Sequence, residues 1–429
     1  MRRRSFLQHL SWLSTGVLAG MWQPAWSRNL HRSLEGAEGR SPAGLAGDED
    51  FWSSVQHSFV RSSGLINLNN GGVSPAPKAV AEALKKNFDY CNEAPSYFLW
   101  RKLDKGREPL RAALAAAGGC AATSVAINRN ASEGLDTVLL GLNLRAGDEV
   151  LACRQDYNHA IFTLEQRARR DGIVLRWVDL KLPSEEEAYL VRKYVEAFTP
   201  KTKLLLLTHV INWNGQVLPV AAIAAEARKR GIEVLVDGAH SFNQFPFSID
   251  ALNADYFVTS LHKWTYAPVG AGLLWVRPEK IAGLYPLHGH PDSGSSDIRK
   301  FESLGTRPFY IEQATTEALA FNAQIGIARK AERLNYLRNY WMDRVRPLPG
   351  VRLLSPTAPG FGCAIGLLSI DGRDPRTLES FLMNGYHIHS TVTDWAGLRG
   401  LRITPNVYTT LADLDTLVAG ITAYVKTGG

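Results

Sequence analysis

Residues 203–210 read KLLLLTHV, 232–240 read IEVLVDGAH and 255–260 read DYFVTS. Each is a short apolar run that ends in small or polar residues. A strand with one wet face alternates apolar and polar residues. An unbroken run of Leu, Val and Ile belongs to a strand covered on both faces. Between the first two runs lies PVAAIAAEARKRG (219–231), a helical stretch stopped by glycine. Strand, helix, strand is a βαβ unit, and βαβ units build parallel sheets.

The pattern continues outward. SVAIN (124–128), DEVLAC (148–153) and IVLRWVDL (173–180) read as strands before these runs, and GLLWVR (272–277) as one after them. The helical stretches ASEGLDTVLLGL and NHAIFTLEQRARRDG alternate with them. Seven strands result, mostly parallel, in an α/β domain whose ligands belong beyond the carboxyl ends of the strands. This large domain is expected over 76–310. After it come long helical segments (311–345), the short strands VRLLS, CAIGLLSI and LRIT, and a last helix LADLDTLVAGITAYV. Residues 311–429 therefore read as a smaller α+β domain.

The chain begins MRRRSFLQHLSWLSTGVLAGMWQPAWS. Basic residues precede a stretch with no Asp, Glu, Lys or Arg, and Ala25-Trp26-Ser27 offers a small-x-small cleavage site. That is a signal peptide over 1–27. Arg3-Arg4-Ser5-Phe6-Leu7 adds the twin-arginine signature, an address read by the twin-arginine translocase. The apolar run is too short for a comfortable spanning helix, so no stable membrane insertion is expected. The destination would be the periplasm. The formal charge is +7. Removing the three leader arginines leaves 7 − 3 = +4 with no basic run, which does not argue for nucleic acid. Residues 28–50, rich in Gly, Ser and Ala, read as a linker, and 51–75 as an N-terminal segment. The four cysteines are scattered without metal-like spacing and read as free and buried.

Lys263 stands in TSLHKWTYAPVGAG (259–272), among Leu261, Trp264, Tyr266 and Pro268. Lysine is rarely buried without a partner or a task. A desolvated lysine loses its proton readily and becomes a nucleophile that forms Schiff bases. The neighbouring strand ends supply further polar groups. Asp237 ends IEVLVD, Ser260 and His262 flank the lysine, and His209 and Asn212 follow LLLLT. Tyr157 follows DEVLAC, and Asn130, Ala131 and Ser132 open a helix. One ligand uses them all: pyridoxal 5′-phosphate (PLP). Its aldehyde takes Lys263, its ring nitrogen Asp237, its flat ring Tyr157, its ring oxygen Asn212, and its phosphate the helix start at Ala131–Ser132. Trp264 reads as wall.

Asp237-Gly-Ala-His240, followed by Ser260-x-His262-Lys263 with Gly270 and Gly272, resembles the class V aminotransferase family, PLP fold type I. That family includes cysteine desulfurases and isopenicillin N epimerase-like enzymes. The resemblance spans roughly 65–425 and implies a homodimer. LINLNNGGVSP (65–75) is similar to the family's substrate-side loop, which brings Asn70 to the substrate. ESLGTRP (302–308) implies that Thr306 reaches the phosphate of the neighbouring subunit. LRITPNVYTT (401–410) implies that Arg402 binds a substrate carboxylate, with Thr404 and Thr409 where the family has Ser and Asn. His240 is expected beside the cofactor.

PLP chemistry serves transamination, epimerisation, elimination and decarboxylation, and the fold does not choose among them. A desulfurase carries a cysteine shortly before the carboxylate arginine. YHIHSTVTDWAGLRGLR (386–402) has none. His288-Gly-His290 and His387-Ile-His389 lack acidic or cysteine partners at metal-site spacing, so no metal is expected. With the export signal, the chain resembles exported tailoring enzymes of pyoverdine siderophores, which act on a glutamyl group of a peptide. A small-molecule amino acid or peptide substrate is implied. The alternatives are an epimerase or lyase, a cysteine desulfurase, against which that missing cysteine argues, and a PLP-binding protein without turnover.

Overall fold

The computed structural model describes residues 25–427. Thirteen strands are numbered in chain order. β1 is Ile66–Asn67, β2 Val125–Asn128, β3 Glu149–Cys153, β4 Val174–Val178, β5 Thr202–Thr208, β6 Glu233–Asp237, β7 Tyr256–Ser260 and β8 Gly272–Val276. β9 is Val351–Leu353, β10 Gly366–Ile370, β11 Ile388–His389, β12 Thr391–Trp395 and β13 Leu398–Ile403. β2 to β8 form one sheet in the order β2-β8-β7-β6-β5-β3-β4. The pairs among β3, β4, β5, β6 and β7 are parallel, and β8 runs antiparallel to both β7 and β2. All seven expected strands form, in the expected α/β class.

The apolar runs divide by parity. Leu204 and Leu206 of β5 join one core cluster with Val150, Leu235 and Val258. Leu205 and Leu207 join the opposite one with Leu151, Val236 and Phe257. Successive side chains of a strand point to opposite faces, so an unbroken leucine run feeds both layers of helices. Each such leucine contributes about 1.5–3 kcal/mol through burial. Register then fixes the chemistry. Thr208 lies opposite Asp237, which lies opposite Val258, and β7 runs on two residues to Ser260, so the carboxyl ends of β5, β6 and β7 share one edge.

The smaller domain holds a four-stranded antiparallel sheet, β12-β13-β10-β9, which includes one strand more than its sequence suggested. Helices Ile327–Val345, Pro375–Tyr386 and Leu411–Lys426 cover it. Two boundaries shift. Helix Phe309–Ile325 buries Ala314, Ala318 and Leu319 in the large-domain core rather than in the small domain. From the other side, β1 pairs with β11 and Asn69 bridges Thr404, which ties the 51–75 segment to the small domain.

The linker expected at 28–50 is instead folded. Helices Ala25–Gly36, Pro42–Leu45 and Glu49–Gln56 form an N-terminal arm. Leu30, Leu45, Trp52, Val55 and Phe59 pack in one cluster with Trp264, Tyr266 and Phe321. Ser41 and Asp48 cap the second and third helices, so the polar residues that suggested a linker are caps. Arg333, fully buried, donates to Glu49 and to the Ala46 carbonyl and holds the arm down. The leader expected at 1–27 falls outside the described residues up to position 24. Ala25 and Ser27 stand in the first arm helix. Among the described residues no helix is long and apolar enough to cross a membrane.

Candidate active site

A cavity of about 510 Å³ opens at the carboxyl edge of the large sheet. Lys263, Asp237, His240, Ser260, His262, Ala131, Ser132, Tyr157, Asn212 and Arg402 all line it. These ten residues, with Asn130, thus meet in one place. The small domain closes the cavity with Gly71, Gly72, Thr391, Val392 and Arg402.

Asp237 is buried, and burial raises its pKa. The Ala239 N–H at 2.9 Å and the Lys263 charge act the other way. Gly238 follows because a Cβ there would meet the Phe257 ring at 2.0 Å. Burial lowers Lys263 to about 8 against the pull of Asp237, and the Arg402 charge lowers it further. The amine lies 3.0 Å from His240 Nε2. Burial first, then the charges of Lys263, Arg402 and His262, hold His240 well below the usual imidazole range, so it is neutral. His262 is pushed down to about 4 by the same burial and by Lys263.

Helix Ala131–Gly141 aims its N-terminus at the cavity. Asn130 caps it by accepting from Glu133 N–H at 2.9 Å, and Ala131 N–H donates to Ser260 Oγ at 2.9 Å. Among the described residues the Ser132 N–H has no protein partner. Gly272 makes room for this turn, since a Cβ there would lie 2.3 Å from Asn128 Oδ1 and 2.6 Å from Asn130 N. A free N–H at a helix start, a serine hydroxyl and a histidine make an anion cradle.

Arg402 occupies the opposite wall. It is only 7 % exposed, yet no carboxylate lies within ion-pair distance among the described residues. Nη1 donates to the Asn212 carbonyl at 2.9 Å, Nη2 to Asn69 Oδ1 at 3.0 Å, and Nε has no partner. Burial lowers it to about 10. Asn212 Oδ1 and His262 Nδ1 are also buried without partners. Buried orphan polar atoms are uncommon, and three on residues lining one cavity are what a polar ligand would satisfy. The lysine, the acid and the anion cradle fit PLP.

Two expectations need correction or relocation. Asn70 does not line the cavity. Its amide donates to the Asn67 and Thr404 carbonyls and accepts from Tyr408 Oη at 2.6 Å, so it braces the loop. Asn69, one residue earlier, reaches Arg402. Thr306 lies exposed on a turn away from this chain's cavity. His209 packs between Phe245 and Phe247, and burial lowers it to about 4. Thr404 accepts from Gly71 N–H at 2.9 Å, and Thr409 from Asn406 N–H at 2.9 Å, so both departures from the family pattern pin backbone. Of the cysteines, Cys91, Cys153 and Cys363 are buried and Cys120 is half-buried, all free.

Sequence reasoning missed Thr208, Trp213 and Asp156. Asp156 sits fully buried behind Thr208, whose hydroxyl donates to it at 2.7 Å. Burial pushes its carboxyl up to about 7, against the Thr208 bond. Its only sign in the sequence is an acid at the end of β3.

Comparison with known proteins agrees with this geometry. The model of the family "Aminotransferase class-V" matches residues 66–416. Isopenicillin N epimerase of Streptomyces clavuligerus is 29% identical over 394 residues, 87% of this chain and 98% of that protein. A probable cysteine desulfurase of Synechocystis sp. is 27% identical over 77% of this chain and 78% of its own length. Among solved structures, a C-DES mutant with glycine covalently linked to its PLP cofactor superposes with a TM-score of 0.77 at 24% identity, covering 86% of this chain and 98% of that one. The chain belongs to the class V aminotransferase family. It is a PLP-dependent enzyme with the type I fold.

Proposed function

We propose that this enzyme acts at the amino-bearing carbon of an amino acid, or of a glutamyl group on a peptide such as a pyoverdine siderophore. The reaction would be transamination or oxidative decarboxylation, carried out after export to the periplasm through the twin-arginine translocase. The observation that carries the amino-acid reading is Arg402. A buried guanidinium with an orphan Nε, lining the same cavity as the half-buried Lys263, calls for a carboxylate ligand. The export half rests on the leader sequence alone.

In this reading Lys263 holds the PLP aldehyde carbon and, once released, moves the α-proton as general base. Asp237 keeps the ring nitrogen protonated. His240 and Tyr157 border the ring, Asn212 donates to the ring oxygen, and Ala131, Ser132, Ser260 and His262 hold the phosphate. Thr306 of a second copy completes the phosphate site in a homodimer. Bound PLP supplies a ring that spreads negative charge from the substrate carbon. Arg402 orients the substrate so that its α-hydrogen faces Lys263.

The test is absorbance of the PLP-loaded protein during addition of glutamate and glutamyl peptides. Loss of the yellow band with recovery on adding a keto acid identifies a transaminase. Substrate loss with the band retained, uptake of dioxygen, and an amide product that has lost carbon dioxide and two hydrogens and gained one oxygen atom identify the oxidative decarboxylase. No response to any amino donor would end the proposal. Deletion in the native host that leaves every exported siderophore unchanged would end the export half. A second reading, epimerisation or elimination, is favoured by the relative named isopenicillin N epimerase. Deuterium entering recovered substrate without a mass-shifted product would select it.

A further inference from the structure

We propose that Trp264 is a positioning residue: its indole N–H fixes the tautomer of His240, so that His240 presents Nε2–H to the Lys263 amine. The inference extends the reading of Lys263 as the cofactor-binding amine.

Trp264 is fully buried, and its Nε1 donates to His240 Nδ1 at 3.4 Å. An indole nitrogen only donates. Nδ1 must therefore carry its lone pair. A neutral imidazole keeps one proton, which then sits on Nε2, 3.0 Å from Lys263 Nζ. Lys263 in turn must accept, which only an unprotonated amine does. The contact is not a by-product of burying a tryptophan. Trp275 and Trp341 bury the same N–H with no partner at all.

The indole cannot swing away. The Trp264 carbonyl accepts from Lys330 Nζ, and the Thr265 carbonyl from Asn322 Nδ2 at 2.8 Å. Asn243 donates to Thr265 Oγ1 at 3.1 Å. Tyr266 adopts φ +66°, a left-handed conformation costly for tyrosine, and its hydroxyl is tied to Asn406 at 2.7 Å. A backbone held this firmly sets the indole, the indole sets the imidazole, and the imidazole favours the nucleophilic form of the lysine. The other charges facing this pair are Asp237, Arg402 and His262, and they remain in place when the indole is changed.

Removing the N–H frees His240 to carry its proton on Nδ1. Its Nε2 lone pair then accepts from a Lys263 ammonium and stabilises the charged form. Trp264→Phe keeps an aromatic ring and removes this donor together with the five-membered ring that carries it. The first measurement is the imidazole ¹⁵N spectrum of cofactor-free wild-type protein, with His240 assigned by its absence in His240→Gln. Protonation at Nε2 is expected; protonation at Nδ1 overturns the proposal, with or without a folded variant. The second is the pH profile of reductive methylation of Lys263 in the cofactor-free protein, read by mass spectrometry. Trp264→Phe is expected to raise the midpoint by about one unit, a tenfold slower reaction at pH 7. A folded variant with unchanged tautomer and midpoint also overturns it. Neither readout requires turnover. A protein that binds PLP and reacts with amines but carries Nδ1–H keeps the proposed function and loses this inference.

Discussion

Two lysines, one fully buried and one half-buried, stand on either side of the same loop, and their surroundings differ. Lys330 is fully buried with no carboxylate in ion-pair range among the described residues. Its ammonium donates to the Trp264 carbonyl and to Asn322 Oδ1 at 2.6 Å, and it lies 3.9 Å from the centre of the Tyr266 ring. Lys263 has one nitrogen neighbour, His240, and an open cavity. Burial lowers both, yet only one faces space that a ligand fills. Burial by itself does not make a lysine reactive. A partner that favours the unprotonated amine, together with a reachable void, does.

The comparison breaks most visibly at Lys263. Lys263→Ala is expected to lose PLP colour and to lower turnover by at least about a thousandfold, with a thermal midpoint close to wild type. Lys330→Ala should do the reverse. It leaves a cavity and two unpaired acceptors, and urea unfolding should show about 2–5 kcal/mol of lost stability while Lys263 still takes up PLP. If Lys330→Ala instead removed colour and left stability intact, the two roles would be exchanged. On the facing wall, Arg402→Lys keeps the charge and loses the fork. Steady-state kinetics should show KM for a carboxylate substrate rising by about 10–100-fold, with kcat less affected. The mildest test is pH. Because the folded pKa of Lys263 is lowered to about 8, its amine is free above that pH and protonated below it. Reductive methylation of the cofactor-free protein should fall about tenfold per unit below pH 8. Lys330 should stay unmodified at any pH where the fold persists.

What the sequence made legible follows the same division. β5, β6 and β7 announce themselves because strands covered on both faces have no polar phase to misread. Asp237, Ser260 and Lys263 are legible because they stand directly at the ends of those runs. Arg402 and the 65–75 loop entered through resemblance alone. There the asparagine that touches Arg402 is Asn69 rather than Asn70, since an irregular loop has no period that tells which asparagine reaches that guanidinium. β12 escaped because TVTDW is a short edge strand with partly exposed positions. Lys330 gives no sign, since ARKAER reads as a solvated helix face until Tyr266 and Trp264 are placed against it. The arm at 25–56 was hidden by composition. Its few apolar anchors are spread among glycines, serines and charges, and only the cluster they enter shows their purpose.

That arm has a consequence in time. Phe59 packs on Tyr408 at 5.1 Å, and Arg61 pairs with Asp413, 352 residues further along. A ribosome adds about 5–20 residues per second, so the arm waits roughly 20–70 s after its own synthesis before its last partners exist. Until then Phe59 and Arg61 lack these two partners, and the cluster around Trp264 and Tyr266 is without Tyr408. The contacts of this early segment are therefore complete only once the C-terminal helix has emerged.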